Sequence, residues 1–394
     1  MAEEQWQAFV SLWIDGKPMA DFEDRVRYLE VAERTLEASS FRMVMAMSPS
    51  QTTWPLIDDE RFQLMRRITI ELGLGSYRDR VSEKRSVIFD GYLTSVEPHF
   101  GPQRVPDSTL EVAGLDASCL MHFEARLKEW KDQTDAAIAC AIFKSYGFAV
   151  DVASTGPSRQ ARTGSLLQRG TDAEFLRLLA RRNGFEFYVE PDGSTVAEAV
   201  HAGSAVVGHF HPPRVERQPQ PPLSLFPLAY PSLIEFRARW DSHRPTRVVS
   251  RTIDPESRRI QTAVQEKPPL KQLGKKTRQD LLKDRMAVLR KQATLDAVGL
   301  QHAQAPHHES ELRAFALADY LESNWLAEAT GRVQGLRYPD ILRARRPVDV
   351  DGCGELANGP WYVRTACHRW DRSQATDSYE VDVELVRDAL GRAG

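Results

Sequence analysis

The sequence predicts an α+β protein that is mainly β, in which two barrel-like antiparallel β domains flank a small α+β segment. Two observations support this class. Apolar and polar residues alternate over most of residues 1–115 and again near the C-terminus, as they do in strands with one buried face. Between these stretches, a short helix followed by Gly-Phe and a strand occurs twice, around Gly147 and around Gly184.

Residues 1–115 are predicted to form the first barrel-like domain. An apolar run, Phe9 to Ile14, ends at Asp15-Gly16, which is a hairpin-type turn. Phe41, Met43, Met45 and Met47 lie on one face of a following strand. Further strands are predicted at Ile68–Leu72, Val87–Val96 and Thr109–Ala113. A series of short strands separated by turns favours an antiparallel barrel or sandwich.

Residues 116–205 are predicted to form the α+β segment. Thr171 and Glu174 have capping-box spacing, so each side chain can bond a free backbone N–H at the start of a helix. Phe175, Leu178 and Leu179 then form an apolar stripe, and Asn183-Gly184 ends the helix. The alternating Phe185, Phe187 and Val189 predict a strand. The same order of elements is predicted for Thr134–Tyr146, Gly147-Phe148 and Ala149–Val152.

Residues 206–308 combine a proline-rich crossing, strands and a basic polar insertion. Prolines between His211 and Pro222 exclude a regular helix and a central strand. Ser232–Trp240 and Thr246–Ile253 alternate as strands do. Residues 265–304 are polar and basic, so we expect a partly ordered surface insertion rather than a core element. Its basic residues include Lys271, Lys275, Lys276, Arg278, Lys283, Arg285, Arg290 and Lys291.

Residues 309–394 are predicted to complete the second barrel-like domain with one helix and several strands. The helix is expected over Glu309–Thr330, with Ala314, Leu317, Ala318, Leu321 and Trp325 on its apolar face and Gly331 after its end. Strands are expected at Val348–Val350, Trp361–His368 and Tyr379–Leu385.

Composition excludes several classes of protein. The net charge is −3, with 52 basic and 55 acidic side chains, whereas a dedicated nucleic-acid binder has a clear basic excess. No window approaches the ~20 consecutive apolar residues of a membrane-spanning helix, and the acidic start Met1-Ala2-Glu3-Glu4 lacks the features of a signal peptide. Cys119, Cys140, Cys353 and Cys367 are far apart, which indicates reduced thiols. We therefore expect synthesis in a cytoplasm and no membrane anchor.

We assign no catalytic, cofactor-binding or metal-binding residue from the sequence. His209 and His211 could place two imidazoles on one face of a strand, and His302, His307 and His308 are further candidate ligands. No acidic or cysteine residue lies at ligand spacing, and Pro212-Pro213 follows directly. Solvent-exposed loop histidines are therefore expected.

Two other patterns are interpreted as structural. Gly73-Leu74-Gly75 lacks the third glycine and the Lys-Ser/Thr pair of a phosphate loop, so a tight turn is expected. Asp58-Asp59-Glu60 and the pair Glu309 and Glu311 are acidic neighbours, but glycoside hydrolysis needs two carboxyls ~5 to 10 Å apart across a sugar. We expect these acids at the surface or at helix starts.

Three stretches of the sequence resemble a known family. Gln168 to Glu190 is similar to a signature of the phage late control protein D family, which comprises baseplate hub proteins related to the N-terminal part of VgrG spike proteins. Phe89–Val96 resembles its phrase F-x-G-x-V-T-x-V. Gly359, Trp361–Val363 and His368 match its phrase G-x-W-Y-V-x-x-x-x-H. The resemblance is weakest between residues 205 and 308.

The resemblance implies a non-enzymatic hub of a contractile phage tail or tail-like injection system. Such hubs are homotrimers whose two barrel domains per chain form a pseudo-sixfold ring between a hexameric tail tube and a trimeric spike. The expected partners are therefore the tail tube protein, the tail spike protein, and baseplate wedge or tape-measure proteins. VgrG-type members continue into a needle, whereas this sequence ends at Gly394, so we expect the spike to be a separate polypeptide.

Two other functions remain open from the sequence. One is a tail-associated cell-wall hydrolase, which would need a pair of catalytic acids. The other is a DNA-handling tail protein that uses the basic residues from Lys267 to Lys291, although that stretch lacks aromatic side chains for base stacking.

Overall fold

The computed structural model describes residues 6–50, 53–76, 82–101, 108–156, 166–192, 206–226, 231–253, 258–289, 298–300, 309–372 and 378–392. Its strands are, in chain order, β1 (Trp6–Ile14), β2 (Lys17–Pro18), β3 (Val26–Glu33), β4 (Ser40–Ala46), β5 (Arg67–Ser76), β6 (Ser82–His99), β7 (Thr109–Asp116), β8 (Ala125–Trp130), β9 (Ala149–Val152), β10 (Leu166–Thr171), β11 (Glu186–Pro191), β12 (Val206–His211), β13 (Gln220–Ser224), β14 (Leu233–Trp240), β15 (Arg247–Ile253), β16 (Ile260–Gln265), β17 (Gly274–Thr277), β18 (Val298–Leu300), β19 (Ala327–Gln334), β20 (Pro347–Asp351), β21 (Gly359–Asp371), β22 (Ser378–Arg387) and β23 (Ala389–Arg392). Its helices are α1 (Ala20–Glu23), α2 (Asp135–Ser145), α3 (Asp172–Asn183), α4 (Arg278–Leu289) and α5 (Glu309–Asn324).

A 13-stranded sheet contains strands from both ends of the chain. Its main path runs β14-β19-β22-β21-β3-β4-β7-β6-β5-β1-β2, and β20 and β13 branch from β21. Neighbouring strands are antiparallel, except that β13 and β20 are parallel. The predicted α+β, mainly β class is confirmed. Within the described residues, however, the strands predicted in residues 1–115 and 309–394 belong to this one open sheet, and they form no closed barrel.

The two sets of strands join where β3 pairs with β21. Tyr28 to Glu33 lie opposite Asp371 to Ala366, so residues more than 300 positions apart share a ladder of hydrogen bonds. One hydrophobic cluster correspondingly contains Met43 and Leu110 from the N-terminal strands and Trp361 and Val383 from the C-terminal strands. The ends of the chain therefore share one core as well as one sheet.

Most predicted strands are confirmed, and their alternation explains which face is buried. Phe41, Met43, Met45 and Met47 are all buried, as expected for one face of a strand. In β7, residues at every second position are buried and those between them are half-buried. The strands predicted near the C-terminus correspond to β20, β21 and β22.

The α+β segment has its own core between α2, α3 and a three-stranded sheet in the order β11-β12-β9. The predicted capping box is confirmed: Thr171 Oγ1 accepts from Glu174 N at 3.3 Å, and Glu174 Oε2 accepts from Thr171 N at 2.9 Å. Gly184 ends α3 with φ 65°, a left-handed conformation that favours glycine.

The predicted apolar stripe of α3 is partly wrong. Leu178 is exposed, whereas Leu176 and Leu179 are fully buried. The buried face also includes the small residues Ala173 and Ala180, which places its centre on the side of the helix away from Leu178. Sequence spacing alone did not separate the two adjacent leucine positions.

The predicted helix Glu309–Thr330 is too long, because α5 ends at Asn324. Ala327 to Gln334 instead form β19, which pairs with β14 on one side and β22 on the other. Ala327, Ala329 and Val333 are buried, while Glu328 and Thr330 between them are exposed. This alternation of buried and exposed residues is that of a strand, and β19 is a central strand because its backbone groups form hydrogen bonds on both sides.

Two further expectations are wrong. Gly73-Leu74-Gly75 is not a tight turn, since these residues lie within β5 and pair with both β1 and β6. The basic segment, expected to be a partly ordered surface insertion, is packed into the protein at its start, since β17 pairs with β23 and Leu273 is buried. Arg278 is also buried and donates to the carbonyls of Pro245 and Ser323. Residues 290–297 and 301–304 lie outside the described residues.

Gly91 provides a test of the packing between β6 and β7. A Cβ at Gly91 would lie 2.2 Å from the backbone oxygen of Leu115 and 2.7 Å from Cα of Asp116, so a larger residue must push two strands apart. We expect Gly91→Ala to reduce the free energy of unfolding by about 2 kcal/mol, measured by urea denaturation. Gly156→Ala is the control, because open space surrounds that position. Equal midpoints for the two variants would contradict this account.

Candidate functional site

Buried and half-buried polar and charged side chains lie where the three-stranded sheet meets the main sheet. We call this group the polar junction. Its members are Asp151, Glu186, Tyr188, Glu190, His209 and His211 from the small sheet, and Glu33, Arg343, Arg345 and Tyr362 from the remainder of the protein. Burying so many ionisable groups is unfavourable unless each has a partner, so their arrangement identifies the candidate site.

Arg345 is the central cation of the polar junction. Its side chain is only 3% exposed, and its Nη2 donates to Glu190 Oε2 at 2.9 Å. Nη1 donates to the carbonyl of Arg34 at 2.9 Å, and the guanidinium carbon lies 4.2 Å from the ring centroid of Tyr188. Burial raises the pKa of Glu190, but Arg345 and His209 outweigh it and bring that pKa down to about 2. Glu190 is therefore a carboxylate held by a buried arginine.

Arg343 lies in the same loop as Arg345, just before β20, and connects that loop to β3. Its Nε donates to Glu33 Oε1 at 2.5 Å, and the backbone N–H of Ala344 donates to Glu33 Oε2 at 2.7 Å. Burial favours the neutral acid, yet Arg343 and Arg345 together hold the pKa of Glu33 below its ordinary value. Arg345 has φ 60°, which is unusual for a residue other than glycine. The loop conformation is thus maintained by these ion pairs.

His209 and His211 are not exposed loop residues, contrary to the sequence-based expectation. Both are buried in β12, where His209 is 6% and His211 is 1% exposed. The strand β9 runs parallel to β12 and places Asp151 opposite His209. The acidic neighbour that the sequence appeared to lack therefore comes from another strand. The predicted candidates His302, His307 and His308 lie outside the described residues.

The three side chains form a compact cluster of potential metal ligands. One donor atom from each of Asp151, His209 and His211 lies within 4.8 Å of the others. His209 Nδ1 is 2.9 Å from Asp151 Oδ2, and Arg214 Nη2 donates to Asp151 Oδ1 at 2.5 Å. His211 Nδ1 is 2.8 Å from the carbonyl of Pro212, and the hydroxyl of Tyr188 is 3.1 Å from His211 Nε2.

The protonation states of this cluster suit a ligand set. Burial lowers the pKa of His211 to about 4, so its ring is neutral at pH 7. Burial also lowers the pKa of His209, although Glu190 and Asp151 oppose that effect. Burial alone would raise the pKa of Asp151, but Arg214 and the histidines bring it to about 2. Neutral imidazoles and an ionised carboxylate are the forms that bind metal ions.

A cavity of about 450 Å³ opens beside the cluster. Its lining includes Asp151, Glu190, His209, Arg217 and Arg346. The cavity gives solvent a route to Asp151 and His209. Acidic and basic side chains both line the cavity, so its charge favours neither an anionic nor a cationic organic ligand.

Glu186 forms a second buried contact across the junction. The hydroxyl of Tyr362 donates to both carboxylate oxygens, at 2.9 and 2.7 Å. Burial raises the pKa of Glu186 to about 7, against the opposing effects of Tyr362, Arg345, Arg364 and Arg217. This carboxyl therefore titrates near neutrality.

The other acidic candidates have structural roles. Asp59 caps the short 3₁₀ helix that begins at Glu60, and its carboxylate binds Arg61. Glu309 and Glu311 lie in the first turn of α5, where Glu309 pairs with Arg313. No helix in the described part of the chain has both the length and the apolar content to cross a membrane.

Solved structures show what this architecture is similar to. The prophage MuSo2 43 kDa tail protein from Shewanella oneidensis superposes with a TM-score of 0.61 and 13% identity, over 98% of this chain and 100% of that one. The chain has the fold of phage tail proteins. A tail protein from Neisseria meningitidis MC58 gives a TM-score of 0.61 and 15% identity, with 97% of each chain covered.

The same fold occurs in a secretion system. The E. coli c3393 protein, a component of the type VI secretion system, gives a TM-score of 0.56 and 12% identity over 97% of this chain and 79% of that one. It is described as structurally similar to the T4 bacteriophage tail proteins gp27 and gp5. A chain of the Francisella PdpA-VgrG complex also superposes, with a TM-score of 0.57 and 9% identity over 99% of this chain and 60% of that one. The relationship to tail and VgrG-like proteins predicted from sequence motifs is thus confirmed at the level of fold. No protein-family model and no curated protein sequence matches this chain.

Arg345 offers a test of the polar junction. We expect Arg345→Met to reduce the free energy of unfolding by about 3–5 kcal/mol, because it leaves Glu190 without its main cation and removes the second arginine beside Glu33. Urea denaturation at pH 7 measures the loss. Arg313→Met is the matched control, since Arg313 forms an exposed pair with Glu309 and should contribute less than about 1 kcal/mol. Similar losses in both variants would show that burial of Arg345 has no special role.

Glu186 predicts a dependence of stability on pH. Its pKa is about 7 in the folded protein against an ordinary value of 4.5, so the folded state binds its proton more tightly. The resulting stabilisation is complete below about pH 4.5 and is lost as the pH rises through 7. Raising the pH from 4.5 to 8.5 should therefore destabilise the wild type but not Glu186→Gln. We expect the free energy of unfolding of the variant to rise by roughly 2–3 kcal/mol relative to that of the wild type over this range.

Urea denaturation at several pH values tests this expectation. Glu355→Gln is the control, because Glu355 is an exposed carboxyl between β20 and β21 and its replacement makes the same charge change outside the polar junction. A Glu186→Gln profile parallel to that of the wild type would contradict the assignment.

Proposed function

We propose that this protein is a structural baseplate hub of a contractile phage tail or of a phage-tail-like injection system. The observation that carries the proposal is the match of nearly the whole chain to the whole Shewanella tail protein. The three sequence stretches that resemble the late control protein D family support it, and two of them adjoin or enter the polar junction. The proposed role is to adapt a hexameric tail tube to a trimeric spike.

We further propose that the hub assembles as a homotrimer. Within the described residues, the main sheet ends at β14 on one side and at β1 and β2 on the other. Two different sheet edges on one chain allow head-to-tail contacts, which close into a ring when the rotation between copies fits. Ile234 and Trp240 on β14 are 48% and 42% exposed, so this edge carries apolar surface that a neighbouring copy can cover.

The remaining partners follow from the same proposal. They are the tail tube protein, a separate spike protein, and baseplate wedge or tape-measure proteins. The protein would be made in the bacterial cytoplasm and then incorporated into the particle. A non-enzymatic role accords with the structural use of Asp59 and Glu309, which the sequence offered as acidic candidates.

Light scattering with negative-stain imaging tests the proposed assembly. We expect a particle of three times 44.6 kDa and a ring with a central hole. Ile234→Asp and Trp240→Asp should shift the protein to monomers at micromolar concentration, because they place charge in the proposed contact. Leu127→Asp is the control, since Leu127 is 78% exposed on β8, outside the main sheet.

Several outcomes would overturn the proposal. A protein that stays monomeric even with a candidate spike protein would contradict the hub role. Peptidoglycan cleavage abolished by one carboxylate substitution would favour a cell-wall hydrolase. Salt-sensitive DNA binding lost on neutralising Lys271, Lys275 and Lys276 would favour a DNA-handling protein.

A further inference from the structure

We propose that Asp151, His209 and His211 bind one divalent transition-metal ion, with Zn²⁺ as the first candidate. Two imidazoles and a carboxylate are a common ligand set for zinc, and water completes the coordination in sites with three protein ligands. The donor atoms already lie within 4.8 Å of one another, and both histidines are buried on a regular strand. The inference concerns the chain itself and does not depend on the proposed hub function.

The contacts around His211 leave one ring nitrogen available. Its Nδ1 lies 2.8 Å from the carbonyl of Pro212, which can only accept a hydrogen bond, so the proton is on Nδ1. Nε2 therefore carries the lone pair, and Tyr188 donates to it at 3.1 Å. A backbone carbonyl that fixes the other nitrogen of a histidine is typical of metal ligands.

Asp151 is oriented in a similar way. Arg214 holds Oδ1 at 2.5 Å, so Oδ2 faces His209 Nδ1 at 2.9 Å. The arginine keeps the carboxylate ionised and fixes its rotamer. Ligating carboxylates commonly have such an outer hydrogen bond.

His209 supplies the observation that calls for a cation. Its Nδ1 faces Asp151, while its Nε2 lies 3.3 Å from Glu190 Oε1 and has no hydrogen-bond partner, although the side chain is only 7% exposed. A neutral ring has one N–H, so one of these two carboxylates must face a lone pair. A metal ion between Nδ1 and Asp151 removes the conflict, because the ring proton then lies on Nε2, on the side of the ring near Glu190.

Nearby charges limit the expected affinity and identify the main rival. Arg214 and Arg345 offset the carboxylates of Asp151 and Glu190, so the ion is held by its ligand bonds rather than by excess negative charge. We therefore expect weaker binding than at a four-ligand structural zinc site. The rival cation is a proton, which would make His209 an imidazolium between two carboxylates.

Metal titration distinguishes these cases. The full chain, purified without a histidine tag and treated with a chelator, is titrated with Co²⁺ by visible absorption and with Zn²⁺ by calorimetry at pH 7.5. We expect one equivalent of either metal to bind. His211→Ala and Asp151→Asn should each weaken binding at least tenfold. His243→Ala is the control, because the His243 side chain is 95% exposed and remote in sequence from the cluster.

Two further measurements do not depend on how those variants fold. Tyr188→Phe removes the hydroxyl that competes for His211 Nε2, so it should keep or strengthen metal binding. X-ray absorption at the zinc edge of the wild-type protein should show two imidazole nitrogens with oxygen ligands. Absence of metal uptake by the folded wild type, or a zinc shell without imidazole, would overturn the proposal.

Discussion

The pairing of β3 with β21 is the contact on which the rest of the structure depends. It joins a strand that ends at Glu33 to one that begins at Gly359, so strands from both ends of the chain become one sheet over one core. Closing a loop of more than 300 residues is entropically costly. The hydrogen-bonded ladder and the shared apolar surface offset that cost, and both form only when the two strands are paired. The two halves therefore stabilise each other.

The polar junction adds a second connection at the same place. Glu33 lies at the end of β3, and its partner Arg343 belongs to a loop that also carries Arg345. Through Glu190 and Tyr188, that loop reaches the small sheet of the α+β segment. Buried ion pairs contribute little net stability compared with apolar packing, but they tolerate few alternative arrangements. We infer that the junction mainly fixes how the small sheet sits on the main sheet.

The proposed metal ion would strengthen this connection. Asp151 and both histidines belong to neighbouring strands of the small sheet, while Glu190 connects His209 to Arg345. An ion at this position would hold β9 and β12 together and orient the ring that faces Glu190.

Local patterns in the sequence determined the elements whose stability is local. The capping box at Thr171 and Glu174, the stop at Gly184, and the alternation in β4, β7 and β22 were predictable because the decisive contacts lie within a few residues. Contacts between distant residues decided the rest. Ala327–Gln334 form β19 because β14 and β22 pair with both of its edges. Gly73–Gly75 continue β5 because β1 and β6 pair with both edges of that strand. His209 meets Asp151 only because β9 and β12 are parallel neighbours. Side-chain alternation is encoded locally, whereas strand partners and buried ionic contacts depend on which distant segments can share one core.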